Sequence, residues 1–99
     1  MDSTIWPFAR SGWLDCGEAA LVRIVQTDPD AFGELCVRYS GRLYSYLRAR
    51  TQSDEDAADL TQQVFVKAFN ALPRYRERGL PFGAWLFRIA RNLLIDVQR

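Results

Sequence analysis

The sequence predicts an all-α fold, a compact bundle of three to four helices. Three observations predict it. Apolar residues recur at the three- and four-residue intervals of a helix nearly throughout, and no strand-type alternation is sustained. Start and stop signals fall between those periodic stretches: Asp28-Pro29, Ser53 with Asp56, Pro73 and Pro81. The chain has 99 residues, 48% hydrophobic and 25% charged, enough to bury roughly 65% of its unfolded surface in one core, and this excludes a disordered chain.

Residues 1–17 are expected to form an irregular N-terminal extension, punctuated by Pro7, Gly12 and Gly17, with residues 18–99 as one domain. A short helix is predicted from about Glu18 to Gln26, with Leu21, Ile24 and Val25 turned inward. In "TDPDAF", Asp28 suits an N-cap, and Pro29 suits the first helical position, where its missing N–H is not needed. From there Phe32, Leu35, Cys36, Tyr39, Leu43 and Tyr46 trace one apolar stripe, predicting a helix to about Arg50. "SDEDAADL" opens the next helix. Ser53 and Asp56 have capping-box spacing, and Asp54, Glu55, Asp56 and Asp59 suit the positive end of the helix dipole. Its inward stripe is Ala57, Leu60, Val64, Ala68 and Leu72, with Phe65 and Phe69 beside it. Pro73 stops this helix, "RYRERGL" follows as a loop made pliable by Gly79, and Pro81 begins the last helix.

That last helix, in "PFGAWLFRIARNLLIDVQR", divides into two faces at 100° per residue. Phe82, Leu86, Ile89, Leu93 and Val97 fall together and are expected to pack. Arg88, Arg91, Asn92, Ile95 and Arg99 fall opposite, with Trp85 at the boundary and Asp96 toward the edge. Guanidinium groups grip phosphates in a forked geometry and stack on bases. Aromatic rings offer platforms for unstacked bases, and an amide such as that of Asn92 can read a base edge. The loop ahead of the stripe adds Tyr75 and three arginines. The combination points to nucleic acid, and the aromatic-plus-arginine loop tilts it toward single-stranded or flipped-out bases.

Charge distribution agrees. Residues 1–73 hold seven Lys/Arg against ten Asp/Glu, a balance of −3, and residues 74–99 hold six Arg against Glu77 and Asp96, a balance of +4. Such polarity steers a polyanion to one side. The outward face of the preceding helix reads Asp59, Gln62, Gln63, Val66 and Asn70, poor in charge for an exposed helix, and that depletion hints at a protein contact. Other function classes recede. There is no histidine, Gly-rich phosphate loop, G-x-S-x-G or metal-ligand spacing, so no catalytic centre, metal or cofactor is nominated and the protein is not expected to be an enzyme. Cys16 and Cys36 lack metal-site spacing and are expected to be plain thiols. No apolar run approaches a membrane span, and no signal peptide opens the chain, so a cytoplasmic protein is expected.

Three stretches, "DPDAFGELCVRYSGRLYSYLRART", "DEDAADLTQQVFVKAFNALPRYR" and "PFGAWLFRIARNLLIDVQR", together resemble region 2 of bacterial RNA polymerase sigma factors, nearest to the compact extracytoplasmic-function group. The resemblance covers about residues 18–99 in order. It implies a transcription initiation factor domain of sigma region 2 fold that binds core RNA polymerase and melts the promoter minus-ten element, capturing non-template single-stranded DNA. On matching positions it implies contact between the polymerase β′ coiled coil and Asp59, Gln62, Gln63, Val66 and Lys67. It implies DNA contact for Tyr75, Arg76, Glu77, Arg78 and Gly79 in the loop and for Trp85, Arg88, Arg91 and Asn92 in the helix. An anti-sigma factor is a further partner that the resemblance implies.

The chain also departs from the family. Gln62-Gln63 stands where relatives commonly have Gln-Glu, and the "RERGLP" loop is about one residue longer than in many of them. The second DNA-binding domain, which reads the minus-thirty-five element, is absent, and the helical register persisting to Arg99 suggests a truncated chain. A rival reading is a helical protein–protein module whose arginine stripe meets an acidic, anti-sigma-type regulator. A helix-turn-helix repressor fits less well, because it needs a short turn where this chain has a long loop.

Overall fold

A computed structural model of the protein describes residues 17–76 and 80–98. These form four α-helices: α1 (Glu18–Thr27), α2 (Phe32–Arg48), α3 (Asp54–Ala71) and α4 (Phe82–Gln98). Single 3-10 turns, Pro29–Ala31 and Leu72–Arg74, lead into α2 and out of α3. No strand occurs among the described residues, and the fold is all-α, as the sequence predicts. The chain divides into two units between Arg38 and Tyr39, within the continuous helix α2.

In the first unit α1 starts after Gly17, with Glu18 in its first turn, where a carboxylate suits the dipole. Leu21, Val22 and Val25 are buried, whereas Ile24, expected inward, is only half-buried. The apolar arc is rotated one position toward Val22. The Asp28 N–H closes the helix on the Ile24 carbonyl at 2.7 Å. Asp28 then caps the next element, its Oδ1 accepting from the Asp30 N–H at 3.2 Å, with Pro29 immediately after. Glu34 is buried on the first turn of α2 and accepts from Arg38 Nε at 3.0 Å.

The second unit holds the rest of α2 with α3 and α4, and the α3–α4 pairing is its most extensive. Ser53 caps α3 as its spacing predicts, Oγ accepting from the Asp56 N–H at 3.0 Å. Ala57, Leu60, Val64, Ala68 and Leu72 are all buried, so the inward stripe of α3 stands as read from the sequence. Phe69 does not join it and is 41% exposed. On α4 the buried residues are Phe82, Leu86, Ala90, Leu93 and Leu94. Ala90 and Leu94 replace Ile89 and Val97, because a straight helix drifts round from any single stripe drawn along it. Val97 lies one turn past the last buried position and is 57% exposed.

The ends of the helices are tied by polar contacts. Arg48 Nε donates to Asp54 Oδ1 at 2.6 Å and its Nη1 donates to the Thr51 carbonyl at 3.3 Å, bracing the turn from α2 to α3. Tyr46 meets Phe87 edge-on at 5.3 Å, and the Gln98 amide donates to the Arg50 carbonyl at 3.3 Å. Leu43, Leu47 and Leu86 are wholly buried. Each contributes about 1.5–3 kcal/mol of apolar transfer.

Candidate nucleic-acid interface

The first turn of α4 is built on aromatic rings. Phe82 touches Tyr39 at 5.6 Å, Tyr75 at 6.1 Å and Trp85 at 5.5 Å between centroids. Tyr75 and Trp85 are 4.8 Å apart with planes tilted by 47°. Tyr75 is therefore a core residue, 7% exposed, and its hydroxyl donates to the Leu80 carbonyl at 2.9 Å. This corrects the expectation of an exposed stacking platform at Tyr75: the ring has more apolar surface to bury against Phe82 and Trp85 than a loop position can leave in water. Trp85 is half-buried and keeps part of its ring in solvent.

Beyond Trp85, Arg88, Arg91 and Asn92 are exposed along one side of α4, with Ile95, 40% exposed, among them. Arg76, also exposed, folds back so that its Nη1 donates to the carbonyls of Pro73 (3.2 Å) and Tyr75 (2.9 Å). Glu77, Arg78, Gly79 and Arg99 lie outside the described residues, as do residues 1–16 with Cys16.

Asn92 also borders a groove of about 420 Å³ between the C-terminal half of α3 and α4. It is lined by Lys67, Asn70 and Ala71 from α3, Arg74 from the 3-10 turn that follows, and Leu93 and Asp96 from α4. Asn70, read from the sequence as part of the protein-contact face of α3, and Arg74, read as one of the three loop arginines, both border this groove. Their signal was the Lys67–Asn70–Arg74 spacing of three and four, but only the packing shows which helix they face.

The other candidate surface is on α3. Asp59, Gln62, Gln63, Val66 and Lys67 are all exposed, with Val66 at 59%. Gln63 Nε2 donates to Asp59 Oδ2 at 2.8 Å, so one amide and one carboxylate are already engaged. Phe69 adds an exposed ring near Val66. Asp59 and Gln62 share a shallow groove with Ser40, Gly41 and Tyr44 of α2, three residues that the sequence reading did not single out. Lys67 borders the groove of Asn92 instead.

Two titratable groups at the α2–α3 turn are shifted. Hydrogen bonding and charge from Arg48, then a bond from Tyr44, hold the Asp54 carboxyl below its ordinary value. Desolvation, with Asp54 nearby, raises the Tyr44 phenol. Burial pushes the Cys36 thiol up to about 12. A neutral thiol is a poor nucleophile and metal ligand.

Comparison with known proteins adds a family. The ECF RNA polymerase sigma factor BldN of Streptomyces coelicolor is 36% identical over 86 residues, 83% of this chain and 33% of that protein. The ECF RNA polymerase sigma factor SigD of Mycobacterium tuberculosis is 35% identical over 86 residues, 83% of this chain and 41% of SigD. The RNA polymerase sigma factor NccH of Alcaligenes xylosoxydans xylosoxydans is 35% identical over 82 residues, 83% of this chain and 44% of NccH. The chain thus spans about a third to just under half the length of these curated relatives. Residues 35–99, which take in all of α3 and α4, match the family described as sigma-70 region 2. On that match and those identities, the chain belongs to the sigma-70 region 2 family.

Proposed function

We propose that the protein is a transcription initiation factor domain that docks on core RNA polymerase through α3 and holds melted minus-ten promoter DNA on α4. The observation that carries this reading is the exposed ridge of Arg88, Arg91 and Asn92, headed by the solvent-facing part of Trp85. The arginines supply phosphate contacts, Asn92 a base- or sugar-directed amide, and Trp85 the one described ring at the head of the ridge with surface left for stacking. Arg74 and Lys67 extend the positive surface across the groove. Asp59, Gln62, Gln63 and Val66 form the polymerase-facing patch, whose paucity of charge and exposed Val66 and Phe69 suit burial against the β′ coiled coil.

Energetics sets what the domain does alone. Extruding a base from duplex costs a few kcal/mol, and stacking it on an aromatic returns about 1–3 kcal/mol. The balance is near zero, so the domain binds single strands better than duplex, and stable opening needs polymerase to hold the surroundings. A fluorescence titration with short non-template oligonucleotides, each base of the hexamer varied in turn, tests this. Tight duplex binding without preference for the single strand would overturn it.

A second partner has its own support. Ile95 stands exposed within the arginine ridge, where DNA gains little from an isoleucine and a protein gains more. An acidic regulator of the anti-sigma type would neutralise the arginines and bury Ile95, competing directly with DNA. No helix among the described residues is long and apolar enough to cross a membrane. Action in the cytoplasm, with polymerase and chromosome, belongs to the same proposal.

A further inference from the structure

Tyr39 lies against the first turn of α4. A Cβ placed on Gly83 would stand 2.7 Å from the Tyr39 hydroxyl oxygen and 3.3 and 3.4 Å from Cε1 and Cζ. The first distance is shorter than packed side chains tolerate, so the slot that receives Tyr39 exists because position 83 is glycine. Glycine is a poor helix former, and nothing else in this turn calls for one. The same Tyr39 ring meets Phe82 at 5.6 Å and lies under the Arg42 guanidinium, 4.6 Å from its centroid. Phe82 carries the contact on to Tyr75 and Trp85, and Tyr75 to the Leu80 carbonyl. A residue of α2, remote in sequence from every candidate DNA contact, is thus linked through a short series of packed rings to the head of the arginine ridge. Close-packed rings have few alternative arrangements, so displacing one displaces the next.

We propose that Tyr39, seated in the Gly83 slot, is a positioning residue for single-stranded DNA: it fixes Phe82, and through it sets where Trp85 and the Tyr75–Leu80 closure stand relative to Arg88, Arg91 and Asn92. This rests on the reading above that the ridge holds unpaired nucleotides. Tyr39 itself touches no nucleotide in this scheme.

The test uses the 99-residue chain with Trp6→Phe and Trp13→Phe, which leaves Trp85 as its one tryptophan. Gly83→Ala is expected to weaken binding of a non-template oligonucleotide about tenfold, the scale of overpacking a tight contact, and to shift the emission of Trp85. Tyr39→Phe alone is the background against which the pair is compared. The pair Gly83→Ala with Tyr39→Phe recovers most of the loss, because the oxygen at 2.7 Å is gone and the ring contacts at 3.3 and 3.4 Å need only small adjustment. Binding is measured where urea titration shows every variant folded, and the salt slope is expected to stay constant because the arginines are untouched. Wild-type affinity in Gly83→Ala, or no recovery in the pair, would overturn the proposal. Should Gly83→Ala fail to fold, Tyr39→Leu empties the slot instead, and undiminished binding there would overturn it equally. The two readings fail differently. If the parent chain shows no preference for single strands and Arg88→Ala changes nothing, the DNA reading falls; if the parent binds and the slot variants are indifferent, only the positioning role falls.

Discussion

The hydroxyl of Tyr75 donates to the carbonyl of Leu80 at 2.9 Å, tying the residue before the 76–79 segment to the residue after it. Tyr75→Phe keeps the ring packing and removes this bond. A loss of about 1 kcal/mol in stability is expected by urea titration, with a modest fall in oligonucleotide affinity. Tyr75→Ala also removes the ring packed against Phe82 and Trp85 and should cost about 3–5 kcal/mol. Equal stability of Tyr75→Ala and the parent would contradict the buried position.

The phosphate count can be read from salt. With Arg74, Arg76, Arg88 and Arg91 engaged, the log–log slope for single-stranded binding is expected near −3, since each phosphate contributes about 0.7. Arg88→Ala and Arg91→Ala should each lower its magnitude by about 0.7. Neither should alter docking on core polymerase, measured by co-sedimentation.

Val66 tests the other surface. It is 59% exposed, so Val66→Arg should move stability by less than about 0.5 kcal/mol. If α3 docks on polymerase through this patch, the same change should weaken core binding at least about tenfold and leave oligonucleotide binding alone. Unchanged core affinity would remove Val66 from the interface.

Acid should act through Asp54. Arg48 and Tyr44 lower its folded-state pKa below the unfolded one, so its contribution is present above the unfolded value and lost as pH falls through the folded value. The urea midpoint should therefore drop on acidification below about pH 4, and Asp54→Asn should remove part of that drop. Tyr44 works in the other direction. Its raised pKa contributes stability below the unfolded value and loses it as pH rises through the folded one.

Cys36 should be chemically quiet. With its pKa pushed up to about 12, a Cys16→Ser chain should react slowly with a disulfide reagent at pH 8 and rapidly in urea. Fast reaction of the folded chain would show that the thiol is less shielded than its burial implies.

Much of this protein was legible before any coordinates. Ser53 and Asp56 announced the start of α3 because an N-cap is a local bargain between one side chain and one N–H three residues on. Ala57, Leu60, Val64 and Ala68 announced its buried face because they share one side of the helix whatever that side packs against. Exposure of Arg88, Arg91 and Asn92 followed for the same reason, since a guanidinium opposite an apolar stripe has nowhere to go but solvent. Periodicity and caps are properties of a helix taken singly, and a sequence states them outright.

What periodicity leaves open is which neighbour meets which face. Tyr75 read as an exposed platform because it lies in an arginine-rich loop, but Phe82 and Trp85 fold back to bury it. Ile89 and Val97 read as core because they share the spacing of Phe82, Leu86 and Leu93, but Ala90 and Leu94 hold those places. Lys67 and Asn92, 25 positions apart, read as parts of two surfaces and border one groove. Tyr39 against Gly83 has no signature in the sequence at all. Each of these depends on the distance between two elements, and that distance is set jointly by every side chain in the contact, so it exists only once the helices have packed.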